Sequence, residues 1–212
     1  MYLRASSLLA FTISVPLILT CCGGAISKKE RVRVREDMGR SLVLDGKPRE
    51  GLAHLIEAAK IDPSNPEIQH QLALVYQKIG ENILSLKHFK KAIRMNPKFP
   101  EAYNNLGTLY SQMEEWDKAL ECFEKAAQDI LYRTPHFAYH NIGSVHFHNG
   151  DYTKAIQNYE KAISLAPDYI PAYNDLAAVL ESINQHEKAI ENYRKVASLN
   201  PRSWNAYLNM SR

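Results

Sequence analysis

The chain has 212 residues, with 26 Lys and Arg against 23 Asp and Glu and a formal net charge of +3. Such a balance gives no reason to expect a nucleic-acid partner, which would call for basic excess clustered on one face. Hydrophobic residues make up 45%, and only 9 Gly and 10 Pro interrupt them, which excludes a collagen, a low-complexity linker or a disordered tail. A mean hydropathy of −0.36 excludes a multi-span membrane protein, and three cysteines cannot form the framework of a small disulfide-rich domain.

Residues 1–22 have the layout of a signal peptide. Arg4 is the only charge before Lys28, and Leu8 to Leu19 form an apolar run broken only by Ser, Thr and Pro16. That run suits an h-region and is too short to span a bilayer. It ends in Leu19-Thr20-Cys21-Cys22-Gly23-Gly24, which resembles a bacterial lipobox, an aliphatic residue and two small ones before the cysteine that receives the lipid. Cys22 fits with Leu19 three residues before it, although Cys21 then stands where Gly, Ala or Ser is usual. Cys21 as the acylated residue puts Thr20 in that place instead. An uncleaved signal anchor or a cleaved soluble precursor are the alternatives. Gly23 rather than Asp after Cys22 resembles outer-membrane sorting in Gram-negative bacteria. The resemblance thus implies a periplasmic protein held at the outer membrane by covalent acyl chains such as palmitate, each buried methylene adding about 0.8 kcal/mol. No other cofactor is expected, and Cys122 is left without a partner.

Residues 23–31 read as a linker, and Lys28, Lys29, Arg31, Arg33 and Arg35 crowd its end. They could lie on anionic headgroups beside the anchor. Glu30, Glu36 and Asp37 interleave with them, however, and a solvated face of the first helix is the preferred reading.

From residue 32 on the chain repeats. Pro63 and Pro97 stand 34 residues apart, as do Pro167 and Pro201. Ala58, Ala92 and Ala126 keep that step, and Tyr103, Tyr139, Tyr173 and Tyr207 step by 36, 34 and 34. One register explains these spacings: units at 32–65, 66–99, 100–135, 136–169 and 170–203, with a partial capping helix at 204–212. The third unit carries two extra residues near its end, and Leu131 replaces its closing proline.

Each unit reads as two amphipathic helices. In the fourth, Tyr139, Ile142, Gly143 and His146 share a face of the first helix, and Ala155, Tyr159, Ala162 and Ile163 share one of the second. Asn149-Gly150-Asp151 is the turn between them, and Ala166-Pro167 ends the pair. Trp116 and Tyr152 open second helices at one repeat position, and Asn96-Pro97 and Asn200-Pro201 close theirs. The third unit gives Tyr103, Leu106, Gly107, Tyr110, Ala119, Phe123 and Ala126, and the second gives Leu72, Ala73, Tyr76, Phe89, Ala92 and Pro97. These residues resemble the tetratricopeptide repeat consensus over residues 32–212. The resemblance implies an all-α, right-handed helical solenoid of antiparallel helix pairs, stabilised unit on unit. Gly39 and Gly51 mark a weaker first unit, as suits a cap.

No catalytic set emerges, and no enzyme is expected. His136 and His140 are spaced to share a helix face, but neither Cys nor carboxylate completes a metal set around them. Cys122 precedes core residue Phe123 and reads as a small buried hydrophobe. The sequence contains neither a Gly-rich phosphate loop nor a serine elbow.

In tetratricopeptide proteins the first helices line a concave groove, chiefly through unit positions 2, 5, 9 and 12. Carried onto this chain, the resemblance implies a groove of His70, Leu74, Gln77, Asn104, Thr108, Ser111, Phe137, His140, Ser144, Phe147, Asn174, Ala178 and Glu181. Asn104, His140 and Asn174 form a polar ladder whose side chains can bond the backbone of a bound segment. Phe137 and Phe147 make an apolar spot. None of these is Lys or Arg, unlike the chaperone-binding members whose basic groove clamps a carboxylate. An amphipathic helix or extended peptide with an apolar anchor is the expected ligand.

Ile130-Leu131-Tyr132-Arg133-Thr134-Pro135, leading into Phe137-Ala138-Tyr139-His140-Asn141-Ile142-Gly143 behind a lipobox, resembles the pilotin lipoproteins of type IV pili. That resemblance implies a protein partner, a segment of an outer-membrane secretin, held in the groove until the multimer forms. The alternatives are a periplasmic adaptor for cell-wall hydrolases or proteases, or a structural part of an envelope or export complex.

Overall fold

A computed structural model describes residues 26–210; the signal-like segment and both candidate lipidation cysteines lie outside the described residues. The described residues form eleven helices and no strand: α1 (Lys28–Leu44), α2 (Pro48–Ile61), α3 (Pro66–Lys78), α4 (Asn82–Met95), α5 (Pro100–Gln112), α6 (Trp116–Ala127), α7 (Pro135–His148), α8 (Tyr152–Leu165), α9 (Ile170–Ser182), α10 (His186–Leu199) and α11 (Trp204–Met210). They pair as α1 with α2 through α9 with α10, and each pair packs on the next. The chain is an all-α helical solenoid.

The expected linker ends earlier than residue 31. Ser27 accepts a hydrogen bond from the Glu30 N–H, so α1 begins at Lys28. This Ser-x-x-Glu start is a capping pattern, and neither Pro nor a turn residue separates it from the apolar positions that follow. The basic run therefore forms the first two turns of α1. Lys28 pairs with Asp62, Arg33 and Arg40 with Asp37, and Arg35 with His54.

Prolines at the first turn open α2, α3, α5, α7 and α9. There the missing N–H costs nothing. Inside each unit the turn needs one left-handed residue. Gly46, Gly80 and Gly150 supply it with φ of 77°, 83° and 76°, and Glu114 and Asn184 take the same place with φ of 60° and 61°.

The two helices of a unit approach closely where a small residue meets a ring. A Cβ added at Gly107 would lie 2.6 Å from the Phe123 ring, and one at Gly143 would lie 2.8 Å from that of Tyr159. Core clusters then run along the stack: one joins Phe89, Tyr110 and Phe123, the next Tyr159, Leu180 and Tyr193. In the extended third unit Tyr132 turns inward onto Ala126 and Ala138, filling the seam that the extra residues open, while Leu131 stays exposed. Helix α11 covers the fifth unit with Ala206 and Met210, against Tyr173, Val196 and Ala197.

Candidate functional site

Helices α3, α5, α7 and α9 touch one another in turn, whereas the second helices make no comparable contact with each other. The first helices are thus the closely spaced, inner side of the array, and their outward positions line the groove.

A ladder of hydrogen bonds runs along that side. Gln71 donates to Glu36 at 3.4 Å, Asn105 to His70 at 2.8 Å, and Asn141 to Asn104 at 3.1 Å. His140 meets Asp175 at 2.8 Å. Every rung joins position 5 of one unit to position 6 of the next. This changes the expected role of the polar ladder. Asn104 is buried and accepts from Asn141, and His140 is spent on Asp175, its side chain only 14% exposed. These groups hold neighbouring units together, since a buried polar side chain must find a partner. Asn174 alone of the three is without such a rung among the described residues. His70 joins the ladder deep against Phe89 and Phe99, and burial pushes its imidazole down to about 4.

The remaining predicted groove residues divide in the same way. Gln77 at the end of α3 donates to Gln112 at the end of α5, at 2.8 Å, joining two first helices. Thr108 and Ser144 donate back to the carbonyls of Asn104 and His140, and Ser144 also accepts from Tyr159. Glu181 accepts from Tyr193, and the Ala178 carbonyl accepts from Ser182. Ser111 is half-buried.

The apolar residues do not form one spot. Phe137 and Phe147 stand ten residues apart on α7, about 15 Å along the axis. Phe147 packs against the cluster of Tyr159 and Leu176 and meets Tyr152 at 5.9 Å. Phe137 is 39% exposed and sits edge-on to Tyr169. Tyr169 also meets His136 and His140, so the two histidines spaced for a metal surround a phenol ring. Among the described residues no three His, Cys, Asp or Glu side chains come together to hold a metal. Cys122 is buried, and burial pushes its thiol up to about 11.

A further apolar site lies where the first two units meet. Arg40, Val43, Leu44, Leu55, Gln71, Leu74 and Val75 line a pocket of about 210 Å³. Leu44 is 85% and Leu74 36% exposed, and Gln71 Oε1 is buried there without a hydrogen-bond partner. Of these, sequence reasoning named only Leu74. Arg40 and Val43 occupy groove positions 9 and 12 of the first unit, and carrying the groove pattern back one unit would have found them.

Three tetratricopeptide repeat family models match the chain, over residues 66–99, 100–128 and 136–201. The chain belongs to the tetratricopeptide repeat family. Among solved structures, this tetratricopeptide protein is similar to PilF of Pseudomonas aeruginosa, with a TM-score of 0.79 and 21% identity over 86% of this chain and 82% of that one. It is similar to PilW, a widely conserved type IV pilus biogenesis factor, with a TM-score of 0.77 and 22% identity over 85% and 86%. YrrB, a tetratricopeptide protein with an unusual peptide-binding site, gives a TM-score of 0.64 and 18% identity over 84% and 91%. At these identities the likeness shows the fold. No curated protein sequence matches the chain.

Proposed function

We propose that this tetratricopeptide protein is a lipid-anchored assembly factor for type IV pili. In this reading it acts as a pilotin, binding a secretin segment in its inner groove while an acyl lipid on Cys22, or on Cys21, holds it at the periplasmic face of the outer membrane. The observation that carries the reading is the division of labour along the groove. Its polar side chains bond mostly to one another, leaving Leu44, Leu74 and Phe137 as exposed apolar surface. Such a surface suits a segment that offers apolar anchors. The likeness in fold to PilF and PilW, and the lipobox-like Leu19-Thr20-Cys21-Cys22, support a place in pilus biogenesis.

Physically the work is ferrying. The groove covers apolar secretin surface until subunits assemble, and the lipid brings the complex to the membrane. A strain lacking the gene is expected to lose secretin multimers and surface pili. Normal multimers and normal piliation in that strain would refute the proposal. Replacing Cys22 with Ala is expected to move the protein out of the membrane fraction and abolish palmitate labelling. Labelling that persists would assign the lipid to Cys21 or to another site.

A further inference from the structure

The outer side of the array carries a second feature that the groove does not explain. Between α4 and α6, with α5 as its floor, lies a cleft of about 400 Å³. Lys90 and Arg94 line it from α4, Tyr103 and Tyr110 from α5, and Lys118 and Lys125 from α6. Lys90 and Lys118 approach the Tyr110 ring to 5.9 and 5.5 Å, and Lys125 approaches Tyr103 to 5.7 Å. Two acids are close by: Glu115 pairs with Lys118, and Glu121 pairs with Lys125 at 2.6 Å. Among the described residues neither Lys90 nor Arg94 lies within ion-pair distance of a carboxylate.

The repeat register shows how unusual this is. Lys90 holds unit position 25, and Lys118 holds position 19 of the following unit. At the next two junctions the same positions are Glu124 with Lys154 and Glu160 with Lys188, opposite charges in each case. Glu124 and Lys154 both act on His146, which holds the place of Tyr110. The junction before has Ile56 and Leu84. Only between the second and third units do two lysines flank one ring, and like charges so placed repel. The Tyr110 ring and Glu115, which pairs with Lys118, offset part of that repulsion. A negative ligand would relieve the remainder.

We propose that this cleft binds an acidic peptide segment of a protein partner. The arrangement of charge selects that class. Tyr103 and Tyr110 are two helical turns apart, as are Lys118 and Lys125, so the cations are strung over about 10 Å rather than converging on one point. Carboxylates spaced along a peptide fit such a row, whereas a single phosphate would meet one or two cations at a time. The tyrosine rings offer apolar faces to the peptide between its charges. This site lies on the opposite side of the helix pairs from the groove, so it stands or falls independently of the pilus reading.

The test is fluorescence anisotropy of a labelled octaglutamate peptide titrated with the purified full-length chain at low salt. Binding is expected, weakening strongly as salt shortens the screening length. Lys90→Glu restores the charge that the other junctions carry, and is expected to weaken binding about tenfold without lowering the unfolding temperature. Lys154→Glu makes the same change in net charge at the next junction and is expected to leave binding unchanged. Absence of binding at low salt, or equal losses in the two variants, would overturn the proposal. Displacement of the peptide by inorganic phosphate at matched charge would overturn the peptide assignment in favour of a phosphate or lipid headgroup.

Discussion

Truncating the two phenylalanines of α7 to Ala separates groove from core. A fully buried Phe costs about 3–5 kcal/mol when cut to Ala. Phe137 is 39% exposed and belongs to no core cluster, so what it loses is chiefly its contacts with Tyr169 and His136. An aromatic pair of that kind contributes about 0.5–1.5 kcal/mol, and Phe137→Ala is expected to cost about 1 kcal/mol. Phe147 is half-buried against Tyr159, Leu176 and their neighbours, with Tyr152 beside it. Its truncation leaves a void that these rigid rings cannot fill, and about 2–3 kcal/mol is expected. In a chain of this size 1 kcal/mol moves the unfolding temperature by about 2–4 °C. Phe137→Ala should therefore unfold about 2–4 °C lower and Phe147→Ala about 5–10 °C lower, read by circular dichroism at one scan rate. The partner assay should rank them the other way, with Phe137→Ala losing more affinity per degree of stability lost. Equal thermal shifts for the two would refute the placement of one ring at the open surface and the other in the core.

The buried histidines make the fold acid-sensitive. Burial holds His70 at about 4 against an ordinary 6.5, so the unfolded chain takes up the proton first. Stability is then complete above pH 6.5 and falls as pH drops towards 4, by about 3 kcal/mol for this group. His70→Gln should flatten that slope in urea titrations, and an unchanged slope would assign it to other groups. Glu114→Gly puts glycine where the backbone is left-handed, and should raise stability by about 1 kcal/mol. Gly80→Ala should lower it by about as much, and no change in either would sink the strain argument. Cys122 should resist iodoacetamide at pH 8 in the native chain and react once urea opens the stack; rapid native labelling, mapped by mass spectrometry, would contradict its burial.

Helix pairs, turns and the glycine-to-ring contacts were legible because the repeat prints each signal several times. Gly107 against Phe123 and Gly143 against Tyr159 follow from two positions that recur in step. What escaped was whatever departs from the repeat or joins two copies of it. The start of α1 was misplaced because residues 23–31 read as a linker, while the single capping residue Ser27 decides the boundary. The inward turn of Tyr132 depends on the two-residue insertion, which has no counterpart in other units. The left-handed place of Glu114 and Asn184 corresponds to Gly46, Gly80 and Gly150, position 15 of each unit, but composition hides it because neither residue is glycine. The rungs were hidden for a different reason: each links residues 35 or 37 apart, on adjacent units, so reading one unit at a time assigns both partners to solvent.

Those rungs also bear on how the groove recognises anything. Their chemistry differs at every junction, Glu with Gln, His with Asn, Asn with Asn, and His with Asp. Each joins two neighbouring first helices and fixes the spacing of the groove wall at that point. A ligand that took the same groups would have to replace bonds already made, for little net gain. Specificity must then come from side chains the rungs leave out. At the first junction these are Leu44 and Leu74, and at the fourth unit Phe137 beside Tyr169. The two places lie at different units along the groove, so a bound segment that used both would need apolar anchors at both ends of a polar stretch. Such a segment would have to be long enough to cross three units.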